Sequence, residues 1–238
     1  MSVTIGVLYP GSAAEDDYPL LERILGQDVS LPVILTTVGV DAHEVTALLD
    51  LGSSDRLIEG AREVAAFSPD SVMWACTSGS FVFGWDGAHQ QAEEIGDELG
   101  VPTGSTSIAF AAACRHLGLT RVAIAATYPN DVSRHFAEFL GHTDIEITEL
   151  VSHDIPTAAM AGRLAHDDVL ELAKSNDSSD AQAVLIPDTA LHTVAWIDEL
   201  EEALGKPVLT ANQVTAWYGL RLAGQTVTSD RLGTLFRG

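Results

Sequence analysis

The chain has 238 residues, 46% of them hydrophobic and 19% charged, enough to bury a substantial core in one large domain or two small ones. Thirty-four acidic residues against 12 basic ones set the formal net charge at −22; such a surface repels phosphate backbones and argues against a nucleic-acid partner. No apolar run approaches the ~20 residues that a bilayer crossing needs, which argues against a membrane partner.

The same charge opposes long-range capture of an anionic substrate, so a carboxylate must be held by local donors. The opening Ser2-Val3-Thr4-Ile5-Gly6-Val7-Leu8 reads as a β-strand, without the basic start or cleavage site of a signal peptide. Two distant cysteines, Cys76 and Cys114, make no disulfide framework, and the cytoplasm is the expected compartment.

In chain order, apolar patterning predicts strands over Val3–Tyr9 and Val33–Val38, a helix over Asp55–Phe67, a strand over Ser71–Ala75, and helices over His89–Leu99 and Ser107–Leu117. A strand over Arg121–Ala126 follows, then a helix over Asp131–Leu140 and a strand over Ile145–Leu150. After these come a helix over His166–Lys174, a strand over Ala183–Ile186, and helices over Val194–Leu204 and Val214–Ala223. Ser53-Ser54-Asp55 and Asp131 are expected to cap their helices. Strand and helix in alternation predict an α/β fold of parallel sheets covered on both faces.

Three segments recur in order. Ile5-Gly6-Val7-Leu8-Tyr9-Pro10 resembles Val122-Ala123-Ile124-Ala125-Ala126-Thr127-Tyr128-Pro129, and each leads into an acidic segment that reads as a helix start. Trp74-Ala75-Cys76-Thr77-Ser78 matches Ile186-Pro187-Asp188-Thr189-Ala190, and Leu99-Gly100-Val101-Pro102-Thr103 matches Leu204-Gly205-Lys206-Pro207-Val208. The expectation is a duplicated, Rossmann-like unit, residues 1–118 and 119–238, with a pseudo-twofold relation and the active site between the halves. Ligands of open parallel sheets collect at the carboxyl ends of strands, which places Cys76 and Asp188 across one cleft.

On these motifs, with Phe81 and the terminal Leu232-Gly233-Thr234-Leu235-Phe236, the chain resembles the aspartate/glutamate racemase superfamily. It looks most like the branch of maleate cis–trans isomerases and arylmalonate decarboxylases. In that family two cysteines usually face each other, and the decarboxylases keep the second with glycine at the first. Here the first position is Cys76 and the second is Asp188. Asparagines that the isomerases use are replaced by Pro10-Gly11-Ser12-Ala13 and by the neighbourhood of His153-Asp154-Ile155-Pro156, which predicts a less polar far side of the pocket. The resemblance implies catalysis by Cys76 and Asp188, with Thr77, Ser78 and Tyr128 at carboxylate-binding positions; Thr189, Pro10 and Ser12 complete the expected substrate site. The backbone N–H groups of Ser78 and Thr189 are further candidate donors.

The expected activity is cofactor-independent isomerisation of a small dicarboxylate, with a Cys76 thiolate adding to a maleate-like alkene. An arylmalonate-type decarboxylase or racemase, with Cys76 as proton donor, is the alternative. A carboxylate-binding protein with little turnover is a second. The family's habit of forming dimers implies self-association. No zinc-type histidine spacing and no glycine-rich phosphate loop is present, so neither metal nor cofactor is expected. Cys114, inside an alanine-rich helix, is expected to pack in the core. Trp74 and Trp85 are core residues or pocket walls.

Overall fold

The computed structural model describes residues 2–237; Met1 and Gly238 lie outside it. In chain order the elements are β1 (Val3–Pro10), α1 (Asp17–Leu25), β2 (Val29–Ser30), β3 (Val33–Thr36), α2 (Val45–Leu51), α3 (Ser54–Val64), β4 (Ser71–Trp74), α4 (Ser78–Phe81), α5 (Gly84–Leu99), β5 (Thr103–Ser105) and α6 (Thr106–His116). Then come β6 (Arg121–Ala126), α7 (Asn130–Leu140), β7 (Glu146–Ser152), α8 (Ala158–Ala161), α9 (His166–Ser175), β8 (Ala183–Ile186), α10 (Ile197–Leu204), β9 (Val208–Thr210), α11 (Ala211–Leu222) and α12 (Gly233–Arg237).

The strands form two wholly parallel sheets, so the α/β expectation stands. In the first sheet, β2 and β3 pair with β1 at one constant offset, Val3 with Val29 and Val7 with Val33. They are one edge strand interrupted at Leu31-Pro32, where proline has no N–H to give; an edge tolerates that gap. The Pro32 carbonyl still accepts the Val7 N–H at 2.9 Å. Counting β2/β3 as one strand, the order is edge, β1, β4, β5 in the first sheet and β7, β6, β8, β9 in the second. Both sheets therefore run second, first, third, fourth in chain order.

Register fixes which residues are equivalent. Trp74, the last residue of β4, pairs with Ser105, and Ile186, the last of β8, pairs with Thr210. Cys76 and Asp188 each follow two residues later, at matching strand ends. The two Tyr-Pro pairs are not equivalent: Met73 pairs with Val7 and Leu185 with Ile124, so Tyr9 corresponds to Ala126, two places short of Tyr128.

The central strands β4 and β8 are buried along their whole length, as strands covered on both faces must be. Helix α11 crosses onto the first sheet. The Ser71 hydroxyl donates to the Gly219 carbonyl at 2.8 Å, and a side-chain carbon at residue 219 would clash with Ile5. The Thr106 and Thr215 hydroxyls, on α6 and α11, lie 2.7 Å apart. One apolar cluster, holding Ile5, Phe110, Ile124 and Leu209, runs through both sheets.

Several expectations are corrected. Asp131 lies in the first turn of α7, whose cap position is Pro129, and Ser53 occupies the cap position of α3 without a side-chain bond. The predicted strand to Val38 ends at Thr36, because the chain turns there to run across the cleft. Among the described residues, no helix is long and apolar enough to cross a membrane.

Candidate active site

Cys76 sits in the turn between β4 and α4, with its side chain buried. Its Sγ accepts the Gly79 N–H at 3.2 Å, and the Ser78 hydroxyl is 3.9 Å away. Glycine at 79 keeps this contact close: a side-chain carbon there would crowd Sγ at 3.0 Å and the Trp74 ring at 3.3 Å. Burial pushes the Cys76 thiol up to about 12; the Gly79 N–H and the Ser78 hydroxyl pull it down, and the Asp188 carboxylate pushes it up again. The group at rest is therefore a neutral thiol.

Asp188 occupies the equivalent turn after β8 and is also buried. Its Oδ1 accepts the Ala190 N–H at 2.9 Å, and its Oδ2 accepts the Thr127 hydroxyl. The carboxylate is thus tied to its own turn and to the end of β6. The next residue is fixed from both sides. The Thr189 carbonyl accepts the Tyr9 hydroxyl at 2.9 Å and the Asn212 Nδ2 at 3.2 Å. Asn212 in turn donates to the buried Asp17 carboxylate at 3.0 Å.

Cys76, Ser78, Asp188, Thr189, Pro10 and Ser12 line one cavity of about 220 Å³ between the sheets. Two other expected members are set behind it. Tyr128 is fully buried, and its hydroxyl donates to the Pro187 carbonyl at 2.9 Å; burial raises its pKa well above the ordinary range. Thr77 is fully buried too, its hydroxyl without a partner among the described residues. Ser12 reaches the cavity, but its hydroxyl donates to Glu15 at 2.8 Å. Among the lining residues the Ser78 hydroxyl and the Thr189 N–H remain as candidate donors, while the Ser78 N–H helps hold the Cys76 sulfur. Trp74 is core and Trp85 packs on Phe139, both away from the cavity, and Cys114 is buried in α6.

The far wall comes from residues that sequence reasoning passed over. Val38, Val40, Leu48, Leu51, Ala158 and Ala159 make it largely apolar. It is not without polar groups, however. The loop after β3 crosses the cleft and bonds to the other half. The Asp41 carboxylate accepts the Ala158 and Ala159 N–H groups at 2.9 and 3.2 Å. The His43 N–H donates to the Pro156 carbonyl, and its Nδ1 lies on the Ile155 carbonyl, both at 2.7 Å. Gly11 makes the crossing feasible: its φ is +68°, and a side-chain carbon there would stand 3.0 Å from Val38. The only sign of this wall in the sequence is the Val38-Gly39-Val40-Asp41 stretch, which has neither helical nor strand period.

No lysine or arginine lines the cavity, and the described residues hold no cluster of three or more histidine, cysteine, aspartate or glutamate side chains suited to a metal ion. A buried thiol facing a hydrogen-bonded carboxylate, at matching ends of two like sheets, defines the class: an α/β enzyme acting on a small molecule held in the cleft.

The comparisons carry this further. The family model described as arylmalonate decarboxylase matches residues 42–236. The chain is 30% identical over 130 residues to the arylmalonate decarboxylase of Bordetella bronchiseptica, covering 54% of each. It is 25% identical over 176 residues to the maleate isomerase of Geobacillus stearothermophilus, covering 71% of this chain and 70% of that one. A solved double mutant of arylmalonate decarboxylase in its liganded form superposes with a TM-score of 0.85 at 25% identity, covering 99% of both chains; in it a cysteine replaces a glycine and a serine replaces a cysteine. The chain belongs to the arylmalonate decarboxylase family, an enzyme group whose matched relatives are decarboxylases and isomerases.

Proposed function

We propose that this enzyme decarboxylates a small malonate-type diacid and that Cys76 protonates the product. One observation carries the choice: a single thiol, buried and with burial pushing its pKa up to about 12, faces a cavity whose far wall is largely apolar. One substrate carboxylate takes the Ser78 hydroxyl and the Thr189 N–H. The other is directed to the far wall, which is apolar apart from Asp41 and His43. Its C–C bond breaks, carbon dioxide leaves, and the electron pair passes into an enediolate held by the same donors. The Cys76 S–H then gives its proton to the α-carbon, and the thiolate recovers a proton from water. Asp188 faces Cys76 across the cavity, and its charge keeps the thiol protonated until the carbanion forms.

Both catalytic residues come from matching turns, and we read 1–118 and 119–238 as two copies of one unit. The mutant relative with cysteine in place of glycine and serine in place of cysteine departs from its parent in the same sense as this chain does. A free thiol also needs reducing surroundings, in keeping with the cytoplasm.

A second reading, maleate-type isomerisation, is favoured by one feature. The Gly79 N–H at 3.2 Å from Sγ stabilises a thiolate as well as it positions a thiol. In that route Asp188 takes the Cys76 proton as sulfur adds to the alkene, and elimination follows rotation. Proton NMR of the enzyme in D2O, with phenylmalonate and maleate in separate tubes, decides. Phenylacetate carrying one deuterium at C2, absent with Cys76→Ala, establishes the decarboxylase. Fumarate from maleate replaces it with the isomerase, and silence from both returns the chain to a binding role.

A further inference from the structure

The cavity has a charge problem. A dicarboxylate must enter a site whose own charged wall groups are Asp41 and Asp188, in a chain of net charge −22. Only one lining side chain can become a cation, and it is His43.

His43 is 5% exposed. Its ring stands edge-on to Tyr128, with centroids 4.9 Å apart and planes at 87°. A carbonyl only accepts, so the Nδ1 on the Ile155 carbonyl carries hydrogen in either protonation state. Protonation therefore happens at Nε2, which has no hydrogen-bond partner among the described residues. The backbone bond to Pro156 and the Tyr128 contact hold the ring while that atom changes charge.

Taking the site as a carboxylate site, as above, we infer that protonated His43 is its cationic subsite and receives the second carboxylate of a dicarboxylate ligand. Histidine side chains change charge between pH 5 and 8, so dicarboxylate binding strengthens as pH falls through that range. The other titratable groups around the ring are Asp41 and Glu44 on its own loop, Tyr128 beneath it, His153 and Asp154 beside Ile155, and Cys76 and Asp188 across the cavity. Losing a proton from any of these carboxyl groups adds negative charge, so they are controlled for by variants at 43 alone.

The test is calorimetric titration with succinate, which has neither the malonate skeleton nor the alkene and so reacts in neither route. The wild-type protein is expected to bind it about tenfold tighter at pH 6 than at pH 8. Butyrate, with one carboxylate, gains less. His43→Asn keeps a donor at the Nδ1 position for the Ile155 carbonyl, and His43→Gln keeps one near Nε2; both lose the pH dependence, with circular dichroism confirming the fold. Equal pH dependence in wild type and both variants, or none in wild type, overturns the assignment. Because succinate is inert, failure to turn over phenylmalonate sinks the decarboxylase reading while leaving this result intact, and the converse also holds.

Discussion

The turns after β4 and β8 stand at the same place in two sheets of the same strand order, yet they hold their acidic groups in opposite ways. Asp188 receives two hydrogen bonds, from the Ala190 N–H and the Thr127 hydroxyl, and the turn around it is pinned by Tyr9 and Asn212. Cys76 receives the Gly79 N–H at 3.2 Å, has the Ser78 hydroxyl at 3.9 Å, and shares its turn with the Trp74 and Leu51 side chains. Equal backbone positions thus hold a hydrogen-bonded carboxyl group on one side and a desolvated thiol on the other. Two sheets of like strand order bring the two turns to one cavity, and local hydrogen bonding makes the two groups differ.

The sharpest break of this comparison is Cys76→Ala. Removing a positioned proton donor is expected to lower kcat by about 10²- to 10⁴-fold, while succinate affinity stays within about threefold, since the anion donors are elsewhere. Equal kcat in the variant would remove Cys76 from the chemistry. Next in size is Asp188→Asn, which exchanges the charge for an amide of the same shape. The carboxylate raises the Cys76 thiol, so its removal is expected to move thiol titration to lower pH. Alkylation by iodoacetamide against pH, in a Cys114→Ala background, measures this. The wild-type thiol reacts slowly through pH 10, and the variant's rate rises at lower pH. An upward shift would mean that Asp188 acts through its hydrogen bonds and not its charge.

Gly79→Ala tests the Cys76 turn alone. The added methyl meets Sγ at 3.0 Å and the Trp74 ring at 3.3 Å, and overpacking of this kind costs about 1–3 kcal/mol. A fall in the urea midpoint with a parallel loss of kcat is expected. The same substitution leaving kcat unchanged would show that the thiol's position is not set by the Gly79 N–H.

Much of this arrangement was legible in the residues. The β-branched runs at Val3, Val122 and Val184 marked the central strands, and the three repeated segments placed Cys76 and Asp188 at like strand ends. What escaped did so for physical reasons. Strands β5 and β9 have three residues each, too few to show a period of two. Helix α1 showed only as a helix start in the acidic segment after Pro10, its extent masked by Pro19, which is tolerated in a first turn where its missing N–H costs nothing. Thr77 and Tyr128 resembled binding residues, but their hydroxyls are turned into the protein. His43 was one histidine among eight, and only the crossing of the cleft by its loop gives it a role.

The smallest expected effect concerns the support of the Asp188 turn. Asp17 is buried, and its Oδ2 accepts the Thr193 and Val194 N–H groups at 3.1 and 3.4 Å and the Asn212 amide at 3.0 Å. Burial raises its pKa, against the lowering by those donors. A carboxyl raised on folding holds its proton longer in the native state than in the unfolded chain, where aspartate titrates near ~3.9. Its contribution to stability is therefore full below that value and is lost as pH rises through the folded value. Asp17→Asn keeps an acceptor oxygen and cannot ionise. The difference in urea midpoint, wild type minus variant, is expected to shrink from pH 4 to pH 7, while the other carboxylates cancel in the subtraction. A difference that grows instead would mean that the three donors outweigh burial. The Asp188 turn would then be anchored by an anion, and it would loosen in acid.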